Sequence, residues 1–164
     1  MSRPAIVYRV LVASPSNMEE EQKAVSEVIH DWNTTNSYYR GVYLETFLYE
    51  AEAAPQAGDV PQTTIDKHLI RDYDMLIGVF WTQLAVEKEI EEFKEACKPV
   101  LLCFSSAPVV PGNIDARQYR ELLDLKGRYE AEGTAFTYGS IDDFRGKLQK
   151  YMTLTLNSIR FGYG

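Results

Sequence analysis

Residues 74–93, Asp74-Met75-Leu76-Ile77-Gly78-Val79-Phe80-Trp81-Thr82-Gln83-Leu84-Ala85-Val86-Glu87-Lys88-Glu89-Ile90-Glu91-Glu92-Phe93, decide the fold. The first half is a nearly continuous apolar run from Asp74 to Trp81. It is too short for a membrane span and lacks polar residues at helical spacing, which predicts a strand buried on both faces. The second half changes period: Val86, Ile90, Phe93 and Cys97 recur at i, i+4, i+7 and i+11, one apolar stripe on a charged helix. A buried strand that runs straight into an amphipathic helix is half of a βαβ unit, so the sheet is expected to be parallel.

Working outward, the same alternation covers the chain. Ile6–Ala13 reads as a first strand, ended by Ser14-Pro15-Ser16-Asn17, where proline stops the ladder and Ser16 or Asn17 can cap a helix that opens with Glu19–Glu21. Met18, Val25, Ile29 and Trp32 form that helix's inner stripe. Val42–Leu48 is the second strand, and residues 49–61 read as a surface loop of functional length. Val60-Pro61 opens a helix to about Tyr73, with Ile65 and Leu69 inward. Val100–Phe104 is a fourth, doubly buried strand, followed by a Ser105–Asn113 connection with two prolines and a glycine. Asp115–Glu132 is helical, with Tyr119, Leu122, Leu123 and Tyr129 inward. Thr134–Tyr138 is a fifth strand. A last helix starts near Ser140, an N-cap with Asp143 three residues on, and carries Ile141, Phe144, Leu148, Tyr151 and Met152.

Five strands alternating with five helices predict a single α/β domain over 1–164, a three-layer sandwich with a five-stranded parallel sheet. The commonest order for such a sheet is 2-1-3-4-5. Its ligand crevice lies outside the carboxyl ends of strands one and three, where the order reverses. That brings together Ser14–Asn17 and Trp81–Glu89.

Composition narrows the chemistry. The chain has 164 residues, 45% of them apolar, enough for one domain with a real core. Its formal charge is -7 and its pI about 4.9, and it has no basic stripe, which argues against nucleic acid as a partner. No run approaches ~18 apolar residues, and no signal peptide opens the chain, so a cytoplasmic protein with no membrane partner is expected. Cys97 and Cys103 lack CxxC spacing and both fall on apolar faces, as reduced core cysteines would. G-x-G-x-x-G, G-x-x-x-x-G-K-[ST] and G-x-S-x-G are all absent, and no His, Cys, Asp and Glu cluster has metal spacing, so no metal is assigned.

The crevice is left with hydroxyls, helix N-termini, an aromatic and acids. Ser14 and Ser16 beside a helix N-terminus can bind phosphate or simply cap. Trp81 can stack on a flat ring or pack at the rim. Glu89 lies at about 300° from Val86 at roughly 100° per residue, on the shoulder of the apolar face, while Glu91, Glu92 and Glu95 point to solvent. It is the acid best placed to lean into the crevice, the alternative being one more solvated glutamate.

The segments V-x-V-A-S-P-S-N-M-x-E-E (Val10–Glu21), Trp32-Asn33, A-A-P-x-x-G-x-x-P-Q (Ala53–Gln62), D-x-D-M-L-I-G-V-F-W-T-x-L (Asp72–Leu84), E-I-E-E-F-x-x-A-x-K-P-V (Glu89–Val100) and Asp142-Asp143-Phe144-Arg145 together resemble the bacterial DUF4062 group of TIR-like domains. The resemblance runs from Val10 to about Tyr151. Asn17 stands where that family usually has Asp, Gln22 where it has Arg, and the Thr82–Val86 loop is shorter. The resemblance implies a flavodoxin-like fold related to TIR NADases and nucleoside deoxyribosyltransferases, with the catalytic glutamate falling on Glu89. It implies cleavage of the nicotinamide–ribose bond of NAD, with NAD as substrate and no separate cofactor. Ser14 and Ser16 would hold phosphate, Trp81 would stack, Asn17 and Thr82 would also bind the substrate, and Tyr49 and Glu50 on the loop after the second strand would close the site. It also implies a homo-oligomer, or a partner protein in antiphage defence or nucleotide signalling. The rival expectations are a non-enzymatic TIR-like interaction or sensing module, and N-glycosidase action on another nucleotide.

Overall fold

The computed structural model describes residues 2–50 and 67–159. Five strands, β1 (Ile6–Ser14), β2 (Val42–Glu50), β3 (Met75–Phe80), β4 (Val100–Ser105) and β5 (Ala135–Tyr138), form one parallel sheet in the order β2-β1-β3-β4-β5. The expected order is the observed one. All six residues of β3 are buried, as its unbroken apolar run requires.

Helices cover both faces. On one side, α1 (Glu19–Arg40) and α5 (Ile141–Ser158) pack over Val10, Val12, Ile77, Val79 and Cys103. On the other, α2 (Lys67–Asp72), α3 (Glu87–Glu95) and α4 (Ala116–Ala131) cover Leu11, Leu76, Phe80, Leu102 and Phe104. Met18, Val25, Ile29 and Trp32 are all buried, as the stripe on α1 predicts, and Phe144, Leu148 and Met152 are buried on α5. Ser140 Oγ accepts from the Asp143 amide at 3.1 Å, the expected cap.

Several local expectations are corrected. The N-cap of α1 is Met18, with no side-chain cap, so neither Ser16 nor Asn17 performs that role. Tyr49 and Glu50 are the last two rungs of β2, opposite Ala13 and Ser14, rather than loop residues; apolar Leu48 and Tyr49 let the ladder continue. Residues 51–61, and the start of the helix expected from Val60, lie outside the described residues. On α4 the buried face is Leu122, Leu125 and Tyr129, with Leu123 turned outward, because i, i+3, i+7 is the spacing that faces the sheet. On α3, Glu92 is half-buried rather than fully solvated.

Cys97 is corrected too. It is exposed, two residues past the end of α3, and adopts φ 57. Its amide donates to Lys94 O at 3.0 Å and that of Lys98 to Phe93 O at 2.9 Å, the paired bonds of a left-handed helix ending. A β-carbon is strained there, so Cys97→Gly is expected to raise the unfolding free energy by about 0.5–1 kcal/mol, read from the denaturation midpoint. Cys103, by contrast, is fully buried, and burial pushes its thiol well up, as expected of an inert core cysteine.

Two polar side chains complete the backbone network. Lys98 Nζ donates to the carbonyls of Ile70 at 2.8 Å, Arg71 at 3.3 Å and Tyr73 at 2.7 Å, closing the C-terminal end of α2. Lys98→Met keeps the stem and strands these carbonyls; a loss of about 2 kcal/mol is expected, a fall in Tm of roughly 4–8 °C for a domain this size. At the sheet's edge, Asn33 of α1 donates to Leu44 O at 2.9 Å and accepts from Leu44 N at 2.8 Å. Its amide thus satisfies both backbone groups of one rung of β2.

Candidate functional site

The reversal of strand order places the carboxyl end of β1 between those of β2 and β3, with Ala13 paired to Tyr49 on one side and Gly78 on the other. Around this end the structure distributes the candidate residues over the two faces of the sheet. Strand alternation is the cause: Phe80 packs on the α3 face and Trp81, the next residue, on the α1 face.

On the α1 face, a cavity of about 320 Å³ lies between Pro15, Asn17, Trp81, Thr82 and the β4–α4 connection, which contributes Val110 and Ile114. A second cleft of about 420 Å³ shares Asn17 and Trp81 and continues over Ser16, Ser105 and the first turn of α1. Trp81 is held in place, its Nε1 donating to Ala107 O at 3.0 Å. Ser14 is not presented to either space. It is 1% exposed, its hydroxyl accepts from Gln22 Nε2 at 2.7 Å and donates to Pro15 O at 3.3 Å. Gln22 also donates to Pro15 O at 3.2 Å, so it ties α1 to the turn that leaves β1. Sequence reasoning did not find the contribution of the β4–α4 connection. Its signal was present in the two prolines and glycine directly after a strand that ends on the same edge.

On the opposite face, Tyr49 packs against the same apolar cluster as Leu84, Ala85, Val86 and Ile90. The β3–α3 connection is only six residues, 81–86, and delivers Glu89 in the first turn of α3. Glu89 is half-buried between exposed Lys88 and buried Ile90, while Glu87 and Glu91 are exposed. Burial lifts its carboxyl above the ordinary glutamate value; its own backbone amide opposes this and Glu92 adds a smaller like-charge push. Glu89, Tyr49 and Glu50 line neither of the spaces on the α1 face. The structure therefore brings Ser16, Asn17, Trp81 and Thr82 together, and keeps Glu89 on the other face, the one on which Tyr49 packs.

Among the described residues no group of three or more His, Cys, Asp or Glu side chains is arranged to hold a metal ion. No helix among them is long and apolar enough to cross a membrane.

The fold and this edge define a flavodoxin-like α/β sandwich with its clefts at the switch point of a parallel sheet. No family model matches the chain, and no curated protein matches it. Among solved structures it is similar to translation elongation factor SelB from Methanococcus maripaludis in complex with the GTP analogue GppNHp, at 8% identity and a TM-score of 0.50, over 98% of this chain and 36% of that one. The apo form of SelB aligns at 12% identity and a TM-score of 0.44, over 96% of this chain and 36% of that one. A conserved protein from Enterococcus faecalis V583 aligns at 11% identity and a TM-score of 0.39, over 88% of this chain and 98% of that one. The chain thus spans about a third of the SelB chains. At such identities the likeness is one of fold.

Proposed function

We propose that this chain is a TIR-like N-glycosidase that cleaves the nicotinamide–ribose bond of NAD, with Glu89 as the catalytic carboxylate. The observation that supports it most is Glu89 itself, a half-buried acid in the first turn of the helix that follows the central strand, beside the sheet's switch point. Departure of nicotinamide builds positive charge on the ribosyl ring. An ionised carboxylate on that face stabilises the charge directly or orients the ribose hydroxyls, and water then completes the hydrolysis. Tyr49, at the end of β2, packs on the same face as Glu89 and would face the substrate, while Glu50, the next residue, would approach from the strand's end. NAD is the substrate and no cofactor takes part; the setting we infer is cytoplasmic antiphage defence or nucleotide signalling, in a homo-oligomer or with a defence-system partner. The GTP analogue bound by SelB does not extend to this chain, which lacks the G-x-x-x-x-G-K-[ST] loop that cradles phosphates.

The test is NAD turnover by the concentrated protein, wild type beside Glu89→Gln. Turnover lost in the variant supports the reading, and turnover unchanged by the amide removes Glu89 from it. A second reading, a TIR-like sensing module without catalysis, is favoured by the separation of Glu89 from the Trp81 cleft. It predicts no turnover of NAD or other nucleotides by either protein.

A further inference from the structure

The cavity of about 320 Å³ on the α1 face has a lining that the N-glycosidase reading leaves unused. Three carboxamides meet there from connections far apart in sequence: Asn17 from the turn after β1, Gln83 from the six residues after β3, and Asn113 from the single 3-10 turn (Pro111–Asn113) after β4. Thr82 adds a hydroxyl. The sheet order is the cause, since β1, β3 and β4 are neighbours and their carboxyl ends open onto one edge. Among the described residues no hydrogen bond engages the side chain of any of these four.

The charge of the cavity is as informative as its polarity. No Asp, Glu, Lys, Arg or His is among the described residues that line it. A phosphate, a carboxylate or an ammonium group would give up water there without meeting a countercharge, whereas a neutral ligand incurs no such loss. A carboxamide presents one acceptor and two donors in a plane, and a hydroxyl is itself both donor and acceptor. Three carboxamides around one space therefore match a ligand that carries hydroxyls along its rim. Trp81 is the one aromatic among the described lining residues, and its indole is held by the bond from Nε1 to Ala107 O at 3.0 Å, so it is a fixed wall that loses little freedom on binding. The rest of the apolar lining is aliphatic, with Val110 63% exposed. A nucleobase is flat and apolar on both faces and calls for two flat walls. A sugar ring has a face of C–H groups that a single indole covers, and polar groups around its edge. At about 320 Å³ the space is at the small end of ligand pockets, suited to one or two rings rather than to a dinucleotide.

We propose that this cavity binds an uncharged pyranose sugar, its C–H face laid on Trp81 and its hydroxyls bonded to the side chains of Asn17, Thr82, Gln83 and Asn113. Glu89 does not line the cavity, so the site is independent of NAD cleavage.

The test follows the indole N–H resonances of Trp81 and Trp32 in the full chain, titrated with the methyl glycosides of D-glucose, D-galactose, D-mannose and N-acetyl-D-glucosamine, with the 6-phosphate of whichever sugar binds, and with adenine. Trp32 is 8% exposed in the core and reports that each variant is folded. The expected result is a saturable shift of Trp81, with Trp32 unmoved, for at least one of the four glycosides. Gln83→Ala and Asn113→Ala, both at exposed positions, should each weaken that binding about fivefold, as loss of one hydrogen bond does. The 6-phosphate should gain nothing over the neutral sugar. No saturable shift with any of the four, an affinity that both alanine variants leave unchanged, tighter binding of the 6-phosphate, or a preference for adenine would overturn the proposal. None of these probes contains the nicotinamide–ribose bond, so the outcome is read apart from any turnover by Glu89.

Discussion

Gly78→Val is expected to lower the unfolding free energy by about 3 kcal/mol, at the upper end for an overpacked core. Gly78 sits in the middle of β3, the central strand. A β-carbon there would lie 2.8 Å from Cε2 and Cζ of Phe80 and 3.0 Å from Cδ2 of Leu102. Neither neighbour has room to move. Phe80 is 1% exposed with its ring 5.5 Å from that of Phe104, and Leu102 is fully buried. Valine adds two methyls beyond that first clash, and the backbone entropy it removes from the unfolded chain returns only about 0.4–1 kcal/mol. The denaturant midpoint should fall with the slope unchanged. Gly127 gives the opposite case: it lies in α4 with nothing within 4 Å of its would-be β-carbon, and Gly127→Ala is expected to stabilise by about 0.5–1 kcal/mol.

Glu89→Gln is expected to reduce NAD turnover at least about a hundredfold, the scale on which removal of one electrostatic stabiliser acts. The amide keeps shape and removes the charge that the ribosyl cation needs. Because burial raises the folded carboxyl's pKa, the wild-type rate should rise with pH through a value above that of an ordinary glutamate. Stability moves in the other direction. A carboxyl raised on folding contributes stability that is complete below its unfolded pKa and is lost as pH rises through the folded one. At neutral pH the ionised Glu89 therefore costs stability, and Glu89→Gln should melt slightly higher than wild type, with the difference vanishing below the ordinary glutamate range. Loss of turnover with a melting temperature that does not fall separates a role in the reaction from a folding defect. Glu91→Gln, an exposed acid on the same helix, should change neither quantity.

The strands were legible because each doubly buried one is a short apolar run between turn residues, and the order follows from the commonest winding of five such units. The faces were not. Met75–Phe80 is apolar at every position, so nothing in its pattern says which parity looks toward α1. The consequence falls on Trp81 and Glu89, adjacent in expectation and divided by the sheet in the structure. The side of α4 was half-legible: Leu122 and Leu123 are equally apolar, and only Leu125, in phase with Leu122, decides between them. Cys97 keeps the helical period in the sequence, but α3 has already ended when the chain reaches it. Glu89 was legible as the shoulder acid of α3, since its burial depends on local helical phase alone. The acids Glu19–Glu21 were visible in the sequence, whereas the cleft they line is formed only when Trp81 and Ser105 arrive from the ends of other strands.

The Asn33 amide bears on what this sheet can become. β2 is an edge strand, and a parallel sheet can recruit further chains wherever such an edge offers free backbone groups. Tyr43 and Leu48, 48% and 52% exposed, make this edge sticky as well. At Leu44, which lies between them in sequence, the rung is already saturated by a side chain from the same molecule that imitates the next strand. An incoming strand finds no vacant pair of groups there and meets a helix-borne amide in its path. The β2 edge is thereby blocked at one rung by a side chain of its own molecule, which hinders in-register addition of a further strand on that side.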